Sequence, residues 1–265
     1  MSHDVLPGLR RALIGMVHLL PLPGSPRWGG SLDEVVERAV ADARALEAGG
    51  FHACLVENFG DAPFSPGRAD PATVAAMAVA AGEVRRAVGL PVGINVLKND
   101  AQAALAVAAA VGAAFVRVNV HVGAVVADQG VLQGDAYGTL RYRRLLGTTT
   151  RLFVDVGGKH AVPLAPVELE QVARDAAHRG LADALVVSGV ATGEPTPLGD
   201  VKRVRAAVVD RPILVGSGVE PDTVAELLRV ADGAIVGTSV KRDGRTTAPV
   251  DPARVAAVSR AARAD

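Results

Sequence analysis

The sequence predicts an α/β fold, a single (β/α)8 barrel of the TIM type, on three observations. Eight short apolar runs recur along the 265 residues, and stretches with apolar residues at helical spacing separate them. Connections from a helix to the next strand are short, whereas several after the strands are long. No shift in composition divides the chain, so residues 1–265 read as one domain with residues 1–11 as a short N-terminal extension. A doubly wound open sheet is the structural alternative.

The strand-like runs are 12–18, 52–57, 91–97, 114–121, 152–156, 182–188, 212–216 and 233–237. They are continuously apolar, as expected of parallel strands covered on both faces. Helices are expected over 32–48, 71–88, 101–111, 168–179, 198–208, 221–230 and 252–262, with a weaker one over about 139–146. Ser31 with Glu34 resembles a capping box, and Pro71, Pro221 and Pro252 each follow an acidic residue at a first helical position. Gly49, Gly89, Gly112 and Gly180 stand where helices should stop.

Charge and composition exclude several classes. Lys plus Arg and Asp plus Glu both number 28, so no global field favours nucleic acid, and membrane association is at most peripheral. The one cysteine, Cys54, lies in an apolar run and reads as core packing in a reducing compartment. There is no secretory leader and no long uncharged apolar run, which makes a cytoplasmic protein the expectation. Barrels of this size often associate, so a homo-oligomer is expected.

Two glycine-hydroxyl corners organise the functional reading. Gly216-Ser217-Gly218 and Gly237-Thr238-Ser239 each end an apolar run near the C-terminus. Loops after the last two strands of such a barrel commonly receive phosphate on backbone N–H groups, so a small phosphorylated ligand is expected there. The structural alternative is that these glycines only make tight turns. Other polar residues mark the ends of the remaining strands: His18, Glu57, Asn95, Asp155, Lys159 and the Ser188-Gly189 turn. Arg117, Asn119 and His121 occupy alternate positions, which would place all three on the inward face. Arg117 suits either direct ligand contact or an internal salt bridge to Glu57 or Asp155. Asn95 and Asn119 suit either a buried hydrogen bond or substrate. Glu57, Asp155, Lys159, His121 and His18 are the candidates for proton transfer, Lys159 as an electrostatic or proton-transfer group before a covalent amine. No cofactor is required. The carboxylates and imidazoles would suit a divalent metal if they converged, yet no local ligand-spacing motif is present, and no dinucleotide or nucleotide-triphosphate loop follows a strand.

Seven stretches together resemble one family in its order: Ile14-Gly-Met-Val-His-Leu-Leu-Pro-Leu-Pro-Gly-Ser-Pro26, Val56-Glu-Asn-Phe-Gly-Asp-Ala-Pro-Phe64, Gly93-Ile-Asn-Val-Leu-Lys-Asn-Asp100, Val116-Arg-Val-Asn-Val-His121, Asp155 through Lys159-His160, Val215-Gly-Ser-Gly-Val219 and Ile235-Val-Gly-Thr-Ser-Val-Lys241. The chain resembles the BtpA/SgcQ family over nearly its whole length. That resemblance implies a ribulose-phosphate-binding type of barrel and carries no secure set of catalytic residues. The ionisable groups expected around the anion corners suit an isomerase, epimerase or lyase acting on a small phosphorylated sugar or related phosphate ester. The resemblance implies a different role, a non-catalytic assembly factor like the family's photosystem I biogenesis member, for which the segment 19–28 is the candidate exposed partner loop, readable equally as a lid or an oligomer contact. Lys98 departs from the expected pattern, standing where an arginine would be, and Gly157-Gly158 replace a bulkier pair.

Overall fold

The computed structural model describes residues 3–189 and 191–263. Eight parallel strands close into a barrel: β1 (Ala12–His18), β2 (Ala53–Glu57), β3 (Val92–Asn95), β4 (Phe115–Val118), β7 (Arg151–Val156), β9 (Ala184–Val187), β10 (Ile213–Val215) and β11 (Gly233–Val236). β1 pairs with both β2 and β11, and this closure rules out the open-sheet alternative. Eight helices surround it: α1 (Leu32–Ala48), α2 (Pro71–Ala87), α3 (Ala101–Val111), α4 (Ala136–Leu145), α5 (Leu169–Arg174), α6 (Leu198–Ala207), α7 (Val224–Leu228) and α8 (Pro252–Ala262).

Local chemistry sets the helix limits. Ser31 accepts from the Glu34 amide to start α1, and Asp70, Asp100 and Asp251 cap α2, α3 and α8 through their carboxylates. Gly112 ends α3 at φ 71°, a conformation glycine adopts without steric cost. The expected helix over 168–179 is α5 continued by a π-helical turn at Asp175–Arg179.

Alternation along the strands separates two cores. Outward residues such as Leu13, Val17, Val56, Ile94, Val116 and Val154 pack under the helices. Inward residues Ile14, Met16, Leu55, Phe115, Phe153, Val186, Leu214 and Ile235 fill the lower barrel, where the Phe115 and Phe153 rings stack at 4.5 Å. Val5 and Leu6 complete this inner core. Within the N-terminal segment these two side chains, with Leu9 packed against them, close the lower end of the barrel.

A second, three-stranded sheet was not anticipated. β5 (Ala124–Ala127) lies between β6 (Gly130–Gln133) and β8 (Ala161–Pro163), all antiparallel, within two loops that follow barrel strands. Val126 faces Val131 on one side and Val162 on the other, so three valines stand in a row, 39%, 58% and 62% exposed. Among the described residues no helix is long and apolar enough to cross a membrane.

Candidate active site

Continuing the inward alternation upward from the phenylalanine layer places polar groups where the strands end. Arg117 follows Phe115 by two residues and Asp155 follows Phe153, and the two meet in a bidentate pair, Nε to Oδ1 at 2.8 Å and Nη2 to Oδ2 at 3.0 Å. Asn119 donates to Asp155 Oδ2 at 2.9 Å and accepts from Asn95 Nδ2 at 3.0 Å. Of the readings offered for Arg117, the internal salt bridge is present, its partner is Asp155, and the residue also lines the cavity above. Asn95 and Asp155 are buried beneath that lining and position it, without reaching the cavity themselves.

The cavity encloses about 950 Å³ at the C-terminal end of the barrel. His18, Glu57, Asn119 and Lys159 line it together with the Gly216–Gly218 and Gly237–Ser239 corners. Among its lining are ionisable groups, of which His18 and Glu57 are buried and Lys159 is partly buried. The His18 imidazole donates from Nδ1 to the Thr246 carbonyl at 3.1 Å, which leaves Nε2 as a lone pair 3.7 Å from Glu57 Oε1. Burial, reinforced by the charges of Lys241, Lys159 and Arg117, holds His18 well below the usual imidazole range, so it is neutral. Burial pushes the Glu57 carboxyl upward, Asp155 adds to this, and Arg117, Lys159 and Lys98 oppose it. Lys159 reaches across to donate to the Gly216 carbonyl at 2.7 Å. Burial first, and the neighbouring Arg117 charge second, bring its ammonium from 10.5 down to about 7.

The corners lie together, as anticipated, and are stitched to their surroundings. Ser239 Oγ donates to the Val219 carbonyl at 2.6 Å, Thr196 Oγ1 donates to the Ser217 carbonyl at 3.0 Å, and Thr238 and Thr246 share a hydroxyl bond at 3.0 Å. The Gly216 amide is not available to a ligand, because it donates to the Val187 carbonyl at 2.7 Å. Among the described residues the amides of Gly218, Thr238 and Ser239 have no protein acceptor, the arrangement that suits an anion. Gly218 sits at φ 61°, and a Cβ there would run into Pro195. Behind the second corner, Lys241 is fully buried with Nζ 3.0 Å from Asp42 Oδ2, and Asp42 also accepts from the Val250 amide at 2.8 Å. That pair fastens the loop after β11 to α1.

Several expected residues lie elsewhere. His121 does not face the cavity. β4 ends at Val118, the alternation lapses, and His121 turns outward, donating from Nε2 to the Gly180 carbonyl at 2.8 Å. Ser188 and Gly189 are not part of the cavity wall either. The Gly189 amide donates to Ser217 Oγ at 2.7 Å, and Ser188 Oγ has no partner among the described residues. Within the segment 19–28, Leu19, Leu20, Pro21 and Arg27 line the cavity, Leu19 and Leu22 join the core, and the Leu22 amide donates to Asp61 Oδ1 at 2.7 Å. Among the described residues no group of three or more His, Cys, Asp or Glu side chains is arranged for a metal ion. Asp61 and Asp100 are engaged by backbone amides, and Asp155 by Arg117 and Asn119. Sequence reading missed Thr246, Thr247 and Glu220 as cavity wall, although the paired threonines after the last strand were a visible hydroxyl signal.

A family model described as the BtpA family matches residues 9–264. The chain belongs to the BtpA family. It is 48% identical over 245 residues to the photosystem I biogenesis protein BtpA of Synechocystis, covering 92% of this chain and 85% of that one. Among solved structures, orotidine 5'-phosphate decarboxylase from Pyrococcus horikoshii is similar with a TM-score of 0.60 at 14% identity, covering 95% of this chain and 100% of that one. N-(5'-phosphoribosyl)anthranilate isomerase from Pyrococcus furiosus is similar with a TM-score of 0.57 at 14% identity, covering 95% and 98%. At such identities the likeness establishes the barrel alone. For this BtpA-family chain, the site must be read from its own residues.

Proposed function

We propose that this BtpA-family chain is an enzyme that moves a proton on the carbon skeleton of a small phosphate ester, in the manner of an isomerase, epimerase or lyase. The observation that carries the reading is that His18, Glu57 and Lys159, with proton affinities shifted by burial, line the same cavity as the two glycine-hydroxyl corners. Phosphate would accept from the Gly218, Thr238 and Ser239 amides. Lys159, neutral in part near pH 7, would take a proton from the carbon beside a carbonyl. Arg117 and Asn119 would stabilise the resulting enolate oxygen. Glu57 in its protonated form would give a proton to the neighbouring carbon or oxygen, and the proton taken up by Lys159 would pass back to the Glu57 carboxylate through the cavity to reset both groups, with neutral His18 3.7 Å from Glu57 holding the carboxyl in place. The structural relatives named for a 5'-phosphate and a phosphoribosyl substrate are consistent with such a ligand. The reading is tested by incubating the protein with ketose and aldose phosphates in heavy water and following loss of the carbon-bound proton signal. Exchange that disappears in Lys159→Met and Glu57→Gln supports it. A ligand that binds yet never exchanges removes the chemistry.

A second reading is favoured by the name of the Synechocystis relative, an assembly factor that uses the barrel as a platform. The exposed row of Val131, Val126 and Val162 would be its contact surface. Cellular function that survives Glu57→Gln but fails with Val126→Lys selects this reading over the enzymatic one.

A further inference from the structure

Three cationic side chains are buried among the described residues: Arg117, Lys241 and Lys98. Arg117 has Asp155 and Lys241 has Asp42 at ion-pair distance. Lys98, 9% exposed, has neither. Its Nζ donates to the Lys159 carbonyl at a long 3.4 Å, and among the described residues no carboxylate lies within 4.0 Å of it. The side chain lines the cavity. A buried ammonium with no ion-pair partner is costly, and the cavity that Lys98 lines gives an anion access to it.

The position of this charge relative to the glycine corners follows from Lys159. Its main-chain carbonyl touches Lys98, and its side chain ends at the Gly216 carbonyl. Lys98 and the first corner are thus linked through one lysine residue, and the two contacts with the length of that residue bound their separation at about 15 Å. A phosphorylated chain of a few carbons with a second acid group fits within that bound.

We propose that Lys98 is the centre of a second anion site, and that the ligand is a short carbon chain with a phosphate at one end and a further acid group at the other. This rests on the phosphate-ester reading above and narrows its substrate class. A lysine ammonium is a point charge with three donors and serves a carboxylate or a second phosphate equally. The shared requirement is the second negative group.

The test compares matched ligands by calorimetry on the full chain: 6-phosphogluconate against glucitol 6-phosphate, and ribulose 1,5-bisphosphate against ribulose 5-phosphate. In the wild type the ligand with two acid groups binds tighter by about tenfold or more in at least one pair. In Lys98→Gln that ratio falls to about one while the plain ester binds as before. The pair that shows the effect identifies the second group as carboxylate or phosphate. A ratio unchanged by Lys98→Gln overturns the proposal. Tight binding of a two-acid ligand with no measurable binding of its plain ester removes the phosphate corners and leaves the Lys98 site standing. The melting temperature of unliganded Lys98→Met is the second measurement. A lysine retained for a ligand gives a variant that melts at or above the wild type, and one that melts below it assigns Lys98 a structural role and sinks the proposal even where no ligand binds.

Discussion

Asp155→Asn is the most informative perturbation of the polar layer, because it removes a charge while keeping the shape. Asp155 accepts from Arg117 Nε at 2.8 Å, from Arg117 Nη2 at 3.0 Å and from Asn119 Nδ2 at 2.9 Å. The asparagine leaves the Arg117 guanidinium, 4% exposed, without a counter-charge. Breaking one partner of a buried pair costs about 3–5 kcal/mol. For 265 residues the unfolding entropy is about 0.55 kcal/mol per kelvin, so the melting temperature should fall by about 5–9 K. Arg117→Met, which strands the carboxylate, should cost a similar amount. The double variant Arg117→Met/Asp155→Asn should cost clearly less than the two together, with a coupling of about 2 kcal/mol or more. Calorimetric melts of the four proteins under one buffer provide the cycle. Additive losses, or an Asp155→Asn that melts within about 1 K of the wild type, would show that the pair is not what neutralises Arg117.

Two further outcomes follow from the same site. Between pH 7 and 10.5 an unfolded lysine holds a proton that folded Lys159 has lost, so wild-type stability should climb as pH rises through that window and Lys159→Met should abolish the climb. The swing is at most about 5 kcal/mol, and less because the side chain keeps some contact with cavity water; denaturant titrations at pH 7 and pH 10 measure it. Gly218→Ala places a Cβ against Pro195 at a positive φ, so it should lower stability by about 1–3 kcal/mol and weaken inorganic phosphate binding in a thermal titration. Undiminished binding in that variant would count against the corner as an anion seat.

The barrel was legible because its signal is redundant. Runs such as 12–18 and 233–237 are apolar on both faces, and the helices between them carry their own stop and start residues. Inward placement of Arg117 and Asp155 was legible for the same reason, since both sit two residues beyond a phenylalanine on a continuous strand. His121 was misplaced because alternation was extrapolated past Val118, where β4 had already ended. The three-stranded sheet stayed hidden because Ala124–Ala127 and Ala161–Pro163 are too short and too uniform for a period of two to be visible. Pairings between remote loops, such as His18 with the Thr246 carbonyl or Lys241 with Asp42, leave no local trace in a single chain.

The stacked phenylalanines directly below the Arg117–Asp155 layer have an electrical consequence. Aromatic rings and the aliphatic residues around them polarise little, so the field of the layer is hardly damped from below. Damping comes from above, out of whatever fills the mouth. Water, a zwitterion or an acid lodged there would each set a different proton affinity for Glu57 and Lys159, so that the guest helps to tune the groups that act on it.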